Sequence, residues 1–458
     1  VSQPQSAGPP DPGGRRTAWR EGLDRLKAGA TTEPGRLRII GAALAALLVG
    51  FGAVTAWQVA DRAAAADAVV RRSQPLSADA ADIYRSLADA DTTAAGGFLA
   101  GGQEPRAVRQ RYEKDITLAS ELLTKAAADT DDTDPAGREV AKLNEQLPVY
   151  TGLVETARAN NRQGLPLGGA YLRYASDRMR EELLPAARAL YETETGRLGH
   201  DYDDAESWPW AALATGVVAL GALGWAQRRN YLRTNRVFNH GLLTATAGAT
   251  VVLLWLVAAH AWSRADLTDS FEHGAKPLQV LNEARITSLQ ARGDENLTLV
   301  ARGAVLTAAG EDAYETSYRK GMKELVGSET ADPAKGTLLD RARSLADGSG
   351  GREPVAKAIE AVHEWQQRHA EARAADDSGY YDQALPKVIG EKDSTGEYFD
   401  RVDTELRRAL AHEQDDFRHS ADDGRGALTG LAAGAAVLAV LGAAGAVLGI
   451  GRRLSEYR

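Results

Sequence analysis

Four aspartates crowd into six positions, Asp129, Asp131, Asp132 and Asp134, and oxygen ligands at that density are what a calcium site requires. The spacing lacks a glycine at the loop turn and a closing glutamate twelve positions along. The run therefore reads as a solvated, helix-ending loop. His240 and His260 stand near opposite ends of one apolar run, where packed or interfacial polar residues account for them better than a metal or proton relay. The acidic stretches 201–206 and 415–423 and the pair Glu311-Asp312 read as hydrated exterior rather than as a surface for a basic partner. Four arginines are left: Arg228, Arg229, Arg233 and Arg236, in QRRNYLRTNRVFNH at 227–240, with no acid among them. Their chemistry is electrostatic. It consists of retention on the cytoplasmic side of a bilayer and docking of a partner there.

No covalent chemistry is legible. The chain has no HExxH, P-loop, GxSxG or kinase signature. The glycine pairs 96–97 and 101–102 follow no strand and cradle no phosphate. Without cysteine, disulfides, thiol catalysis and Cys-based metal sites are excluded. We expect no enzyme, no cofactor and, at a net charge of -9, no nucleic-acid partner. The sequon Asn296-Leu297-Thr298 matters only in a host that glycosylates exported chains.

Four apolar runs position the arginines. They are Ile39–Trp57, Trp208–Ala226, 241–262 and 427–450, each 19 or more residues without a formal charge, as a ~30 Å hydrocarbon layer requires. The mean hydropathy of -0.33 hides them. Lys and Arg outnumber Asp and Glu by 7 to 4 in residues 1–38, 4 to 0 in 227–240 and 3 to 1 in 451–458. The counts reverse in 58–207, 18 against 26, and in 263–426, 22 against 32. Basic segments stay inside, so the chain is expected to be a multi-pass protein of the cell membrane. Both termini and the loop 227–240 are cytoplasmic in this reading, and the two acidic domains are extracytoplasmic. The cytoplasmic pieces are too short for a catalytic domain. Trp57, Trp208, Trp210, Trp225 and Trp262 are placed at the lipid interface, with Tyr457. The first run reads as an uncleaved anchor, because its preceding tail is long and no small-x-small exit follows. Gly50/Gly52, Gly430/Gly434 and Gly442/Gly445 favour close helix packing in lipid and make a homodimer plausible. In the tail, residues 1–14 are expected to be disordered. Trp19, Leu23 and Leu26 recur at helical spacing among Arg16, Arg20, Arg25 and Lys27, as in a short helix on the anionic inner leaflet or on a cytoplasmic partner. Trp19 and Arg20 join the loop arginines as the expected partner surface.

The acidic segments carry helical patterns only. Residues 58–207 divide into helices near 58–98, 105–128, 136–161 and 168–207, the outer two running into the first two spans. Val140, Leu143, Leu147, Tyr150 and Val154 form one apolar face, and Leu172, Met179, Leu183, Leu190 and Leu198 another. Together these elements predict an up-down four-helix bundle. Residues 263–426 repeat the plan, with breaks at Gly310, 327–336, 347–354 and 376–386 and a final helix over 387–424. QPLSADAADIYRSL at 74–87 aligns with KPLQVLNEARITSL at 276–289, offset by 202. YTGLVETARANNRQG at 150–164 aligns with WQQRHAEARAADDSG at 365–379, offset by 215, and Ala189-Leu190 with Ala409-Leu410, offset by 220. The fold class expected is an all-α membrane protein, with four transmembrane helices and two tandem extracytoplasmic four-helix-bundle-like domains, arisen by duplication.

The span–bundle–span plan, used twice, resembles the four-helix extracytoplasmic sensor domains of bacterial chemoreceptors, though no adaptation or histidine-kinase module follows. The Ala/Arg/Gly-rich composition looks like that of a high-GC actinobacterium. Over about residues 36–458, by layout and by RTNRVFN at 233–239, the chain resembles an actinobacterial family of four-span membrane proteins encoded with an amino-acid-binding lipoprotein and a soluble Ser/Thr protein kinase. That resemblance implies a lipoprotein sensing glutamate or aspartate outside and a kinase receiving the signal inside. The outer bundles would then bind the lipoprotein rather than the amino acid. From the residues themselves we expect a transmembrane sensor or adaptor, with a structural envelope scaffold or an accessory subunit of a transporter as the alternatives.

Overall fold

The computed structural model describes residues 33–130, 134–234, 239–327, 332–426 and 431–454. Trp19, Arg20, Arg236 and Tyr457 lie outside them, as do Asp131 and Asp132. Among the described residues the chain is helical, with no strand and a single isolated bridge, Leu306 to Asp312. The helices are α1 Glu33–Ala68, α2 Gln74–Leu99, α3 Arg106–Asp129, α4 Pro135–Arg162, α5 Leu167–Arg178, α6 Leu184–Glu206, α7 Trp210–Thr234 and α8 His240–Ser270. They continue as α9 Lys276–Ala301, α10 Ala313–Leu325, α11 Leu338–Leu345, α12 Gly348–Asp377, α13 Tyr381–Ile389, α14 Thr395–Gly426 and α15 Leu431–Leu454.

Three wide π-turns join α1 to α2, α5 to α6 and α8 to α9, at Val69–Ser73, Met179–Leu183 and Phe271–Ala275. A proline causes each one. Pro75, Pro185 and Pro277 lack the N–H that an α-turn needs, and their rings crowd the carbonyl four residues back. The residue before each proline instead bonds five residues back: Gln74 to Val69, Leu184 to Met179 and Lys276 to Phe271. The helix widens for one turn and continues. The first and third π-turns stand 202 residues apart, and so do both ends of α2 and α9. The ends of α4 and α12 also correspond: Gly164 and Gly379, 215 apart, both take positive φ, 69° and 81°. There each glycine and its successor cap the last turn through backbone N–H groups.

The described residues divide into two compact units. The charged unit comprises 62–207 and 263–427. Its main hydrophobic core is continuous and draws on both segments, joining Ile83, Leu87, Leu143 and Tyr150 to Leu289, Val362, Trp365 and Leu406. The two segments thus share one core. The reason lies in α2 and α9, which bury nearly every face: all of Ser86 to Ala95, and all of Ala291 to Leu299. A helix on the outside of a separate bundle would bury one stripe. The two apolar faces expected on 140–154 and 172–198 are buried throughout.

The other unit contains the described parts of residues 1–61, 208–262 and 428–458. Among the described residues three helical stretches are long and apolar enough to cross a membrane, those holding the first three runs, which makes this a membrane protein. The fourth run is helical as α15, Leu431–Leu454, within which the apolar stretch Ala436–Leu448 falls short of that length. The helices interlock through Leu48, Phe51, Leu223, Ala245, Val252 and Ala446. A Cβ at Gly216 would stand 2.8 Å from Leu253 and Phe51, and one at Gly445 2.9 Å from Thr244, whereas Gly50 faces nothing within 4 Å.

Several expected boundaries move. The fourth helix does not run into the second span: α6 stops at Glu206 and α7 starts at Trp210, because Pro209 turns the residue before it away from helical backbone. Residues 227–234 are helix, so the loop 227–240 is largely the end of α7. The run DGSGGREP at 347–354 opens α12 instead of breaking it, its Gly350 and Gly351 lying against His412 and Glu413. The final helix starts at Thr395, after Gly390 and the positive φ of Asp393, 51°.

Trp365 is fully buried, edge-on to Tyr318 and Phe399, and its Nε1 donates to Glu295 at 3.2 Å. Trp365→Ala should destabilise the protein by about 3–5 kcal/mol. Thermal unfolding in detergent will show the loss.

Candidate functional site

At the centre of the charged unit α2 and α9 touch directly. Thr92 Oγ1 donates to the Leu289 carbonyl at 2.8 Å, and Asn296 Nδ2 to the Thr92 carbonyl at 3.3 Å. Gly293 makes room, since a Cβ there would meet Thr92 Oγ1 at 3.2 Å. Charge lies on both flanks of this pair. A buried charge is tolerated only when paired and hydrogen-bonded, and each flank solves that with arginine.

On one flank Arg111 of α3 reaches Asp89 at 2.9 Å, Asp400 at 3.3 Å and Asp403 at 3.4 Å. Asp403 also receives Arg285 of α9 at 2.6 Å and Arg407 at 3.2 Å. Burial pushes the Asp403 carboxyl up, but Arg285 and Arg111 outweigh it and hold the carboxyl below its ordinary value. Nearby, burial and the Asp89 carboxylate push Asp115 up to about 7. On the other flank Arg180 pairs with Asp294 at 2.5 Å and lies 5.0 Å over the Tyr314 ring. Asp91 accepts from Ser176 at 2.7 Å and from Tyr150 at 3.3 Å. Burial raises Asp91, and it raises Asp294 to about 6 despite Arg180.

Each flank opens into a cavity. The first, about 560 Å³, lies between α3, the 389–396 connection and α14, with Asp89, Asn296 and Phe399 in its wall. The second, about 590 Å³, lies between α6 and α10, with Asp91, Arg180 and Asp294 in its wall. Both have the size of small-molecule sites. By chain order α3 corresponds to α10 and α6 to α14, so the two cavities exchange when the two halves of the chain exchange.

Deeper in the second half, His369 is held between two carboxylates: Nδ1 against Glu295 at 2.8 Å and Nε2 against Glu315 at 3.1 Å. Its ring stacks on Tyr318 with centroids 3.7 Å apart. Burial lowers the imidazole, but the two carboxylates outweigh it and raise the group to about 8.

Of the arginines expected to face a partner, three lie on the last turns of α7. Arg228 is exposed and Arg229 stands 5.4 Å over Trp225, both on α7. Arg233 lies near the end of that helix. Arg236, Trp19 and Arg20 fall outside the described residues. Trp57, Trp210, Trp225 and Trp262 are exposed, whereas Trp208 packs edge-on to His260 at 5.0 Å. Asp134 caps α4 and pairs with Arg197. Among the described residues no group of His, Asp and Glu is placed to hold a metal ion. Asn296 is 1% exposed, which closes its sequon to modification in the folded chain. Sequence reasoning missed Asp89, Asp91, Arg111, Arg180, Arg285, Arg292, Asp294 and Asp403, which read as solvated faces. One signal was available: charges in α9 fall on every face and leave no polar stripe.

Helices long enough to cross a membrane, together with a charged helical unit carrying two cavities, define an all-helical membrane protein with a large polar portion. Residues 65–203 match the family model described as Actinobacterial sensor domain, which supports an actinobacterial sensor protein. No curated protein and no solved structure matches the chain.

His369 holds a proton more readily folded than unfolded. Its contribution to stability is therefore complete below the ordinary value of 6.5 and fades as pH rises through about 8. Thermal midpoints should fall between pH 6.5 and 9 in the native protein, with a clearly flatter profile in His369→Gln.

Proposed function

We propose that the protein is a transmembrane sensor or adaptor that relays an extracytoplasmic signal to a cytoplasmic partner. The observation that carries this reading is where the sensor-domain match falls: residues 65–203 form half of the charged unit. Helices α1 and α8 each contain an apolar run and continue beyond it without a break. A displacement along or across such a helix is a two-state element that a ligand can bias. In this reading four helices span the membrane and both termini are inside. The two halves of the charged unit, duplicated from one ancestor, are outside. Duplication is supported by the matching π-turns and by the exchange of the two cavities. The resemblance of the layout and of RTNRVFN suggests the partners: an amino-acid-binding lipoprotein outside and a Ser/Thr protein kinase inside. The end of α7, with Arg228, Arg229, Arg233 and Arg236, is the surface proposed to face the kinase, together with Trp19 and Arg20. Trp57, Trp208, Trp210, Trp225 and Trp262 are proposed to anchor the spans at the lipid interface.

Crosslinking of the full chain in its native membrane, with and without external glutamate or aspartate, tests the relay by mass spectrometry. A solute-binding protein outside and a kinase inside are expected. Replacing the four arginines by glutamine should abolish the inner crosslink while the protein still inserts. Cell-wall or secretion components alone, insensitive to solute, would leave a scaffold and sink the relay.

The absence of cysteine gives sided labelling a clean background. A cysteine at Ser378 should react with an impermeant maleimide on intact cells, and one at Arg228 only after permeabilisation. The reverse pattern would invert the topology.

A further inference from the structure

The first cavity has a chemical bias that the second lacks. Its wall holds five carboxylates, including Asp89, Asp400 and Glu391, against three guanidinium groups. Each guanidinium is already engaged. Arg111 is shared among Asp89, Asp400 and Asp403, and Arg292 pairs with Glu295 while donating to Thr395 at 2.8 Å and to the Val388 carbonyl at 3.0 Å. Arg401 donates to Glu397 at 2.6 Å. An anion entering here would find every cation engaged. Acceptors, by contrast, remain. Asn296 lines the cavity at 1% exposure, and its Oδ1 has no hydrogen-bond partner while Nδ2 is bonded to Thr92. An unpaired buried acceptor is costly unless a ligand completes it. Glu391 stands exposed in the 389–396 connection, and Val108, Ile389 and Phe399 supply apolar wall in the same cavity. In the second cavity three carboxylates face three cations, so no such bias arises.

We propose that the first cavity is a binding site for a primary ammonium carried on a short apolar chain, its N–H groups donating to Asn296 Oδ1 beside Asp89 and its chain lying along Val108, Ile389 and Phe399. This rests on the sensor reading above, and it names the ligand class of the cavity that this reading leaves open. A primary ammonium offers three donors and a positive charge, which is what an acceptor-rich, net-negative wall selects.

The test is calorimetric titration of the full-length protein in nanodiscs with 1,5-diaminopentane, 1-pentanol and glutarate. Saturable binding of the diamine is expected, with none of the alcohol or the dianion. Asn296→Asp adds a charge where the ammonium is placed and should tighten diamine binding about tenfold, the scale of a hydrogen bond to a charged group. Glu391→Lys, on the exposed rim where folding is not at stake, should weaken it several-fold. Glu360→Lys, on the exposed face of α12, should leave it unchanged. Glutarate binding, or diamine binding indifferent to both Asn296→Asp and Glu391→Lys, would overturn the assignment. Failure of every probe, while external solute still changes the crosslinked partners, would overturn the ammonium site and leave the relay standing.

Discussion

The structure depends on pairing charge across the α2–α9 contact. These helices are buried on almost every side, yet they carry Asp89, Asp91, Arg285, Arg292, Asp294 and Glu295. An isolated ion in such a place would cost several kcal/mol. It is tolerated because partners arrive from elsewhere in the chain: Arg111 and Arg180 from the first half, Asp403 and His369 from the second. Two pairs cross between the halves, Arg180 with Asp294 and Arg111 with Asp403, so neither half of the charged unit is complete without the other. Replacing such a network by apolar residues is often neutral for stability. Its retention here fits a role in fixing which helix faces which.

The same arrangement accounts for the cavities. Charged and small polar residues at the helix pair prevent tight apolar packing, and Thr92, Gly293 and Asn296 bring the backbones close at one point. Space opens on either side of that point, walled by helices from both halves. A ligand bridging the halves there makes contacts that depend on their relative position. That is the differential interaction a conformational signal requires. The π-turns before α2 and α9 add a second consideration, since widened turns in long helices are frequent at functional sites.

Much of the architecture was legible along the chain. Charge-free runs of sufficient length mark the membrane segments, and helical periodicity placed the buried faces of α4 and α6 correctly, down to Tyr150 and Leu198. Pro75 and Pro277, in segments aligned at an offset of 202, stand at two matching π-turns. The errors came where one residue type has two uses. Gly350 and Gly351 read as a helix break but serve close packing against His412 and Glu413. Basic residues after the second run read as loop, although arginine is a good helix former and α7 continues to Thr234.

The sequence by itself determined the class: an all-helical membrane protein with an acidic, internally similar polar portion. These properties are local, set by the composition and periodicity of windows of about twenty residues. The tertiary structure alone decided that the two polar segments share one core, and which charges are buried. Arg111 meets Asp403 across 292 positions, and Arg285 meets Asp403 across 118. A charged residue on a helix looks the same in sequence whether it faces water or a distant partner. Only the packing of the halves, which satisfies each buried ion, tells them apart.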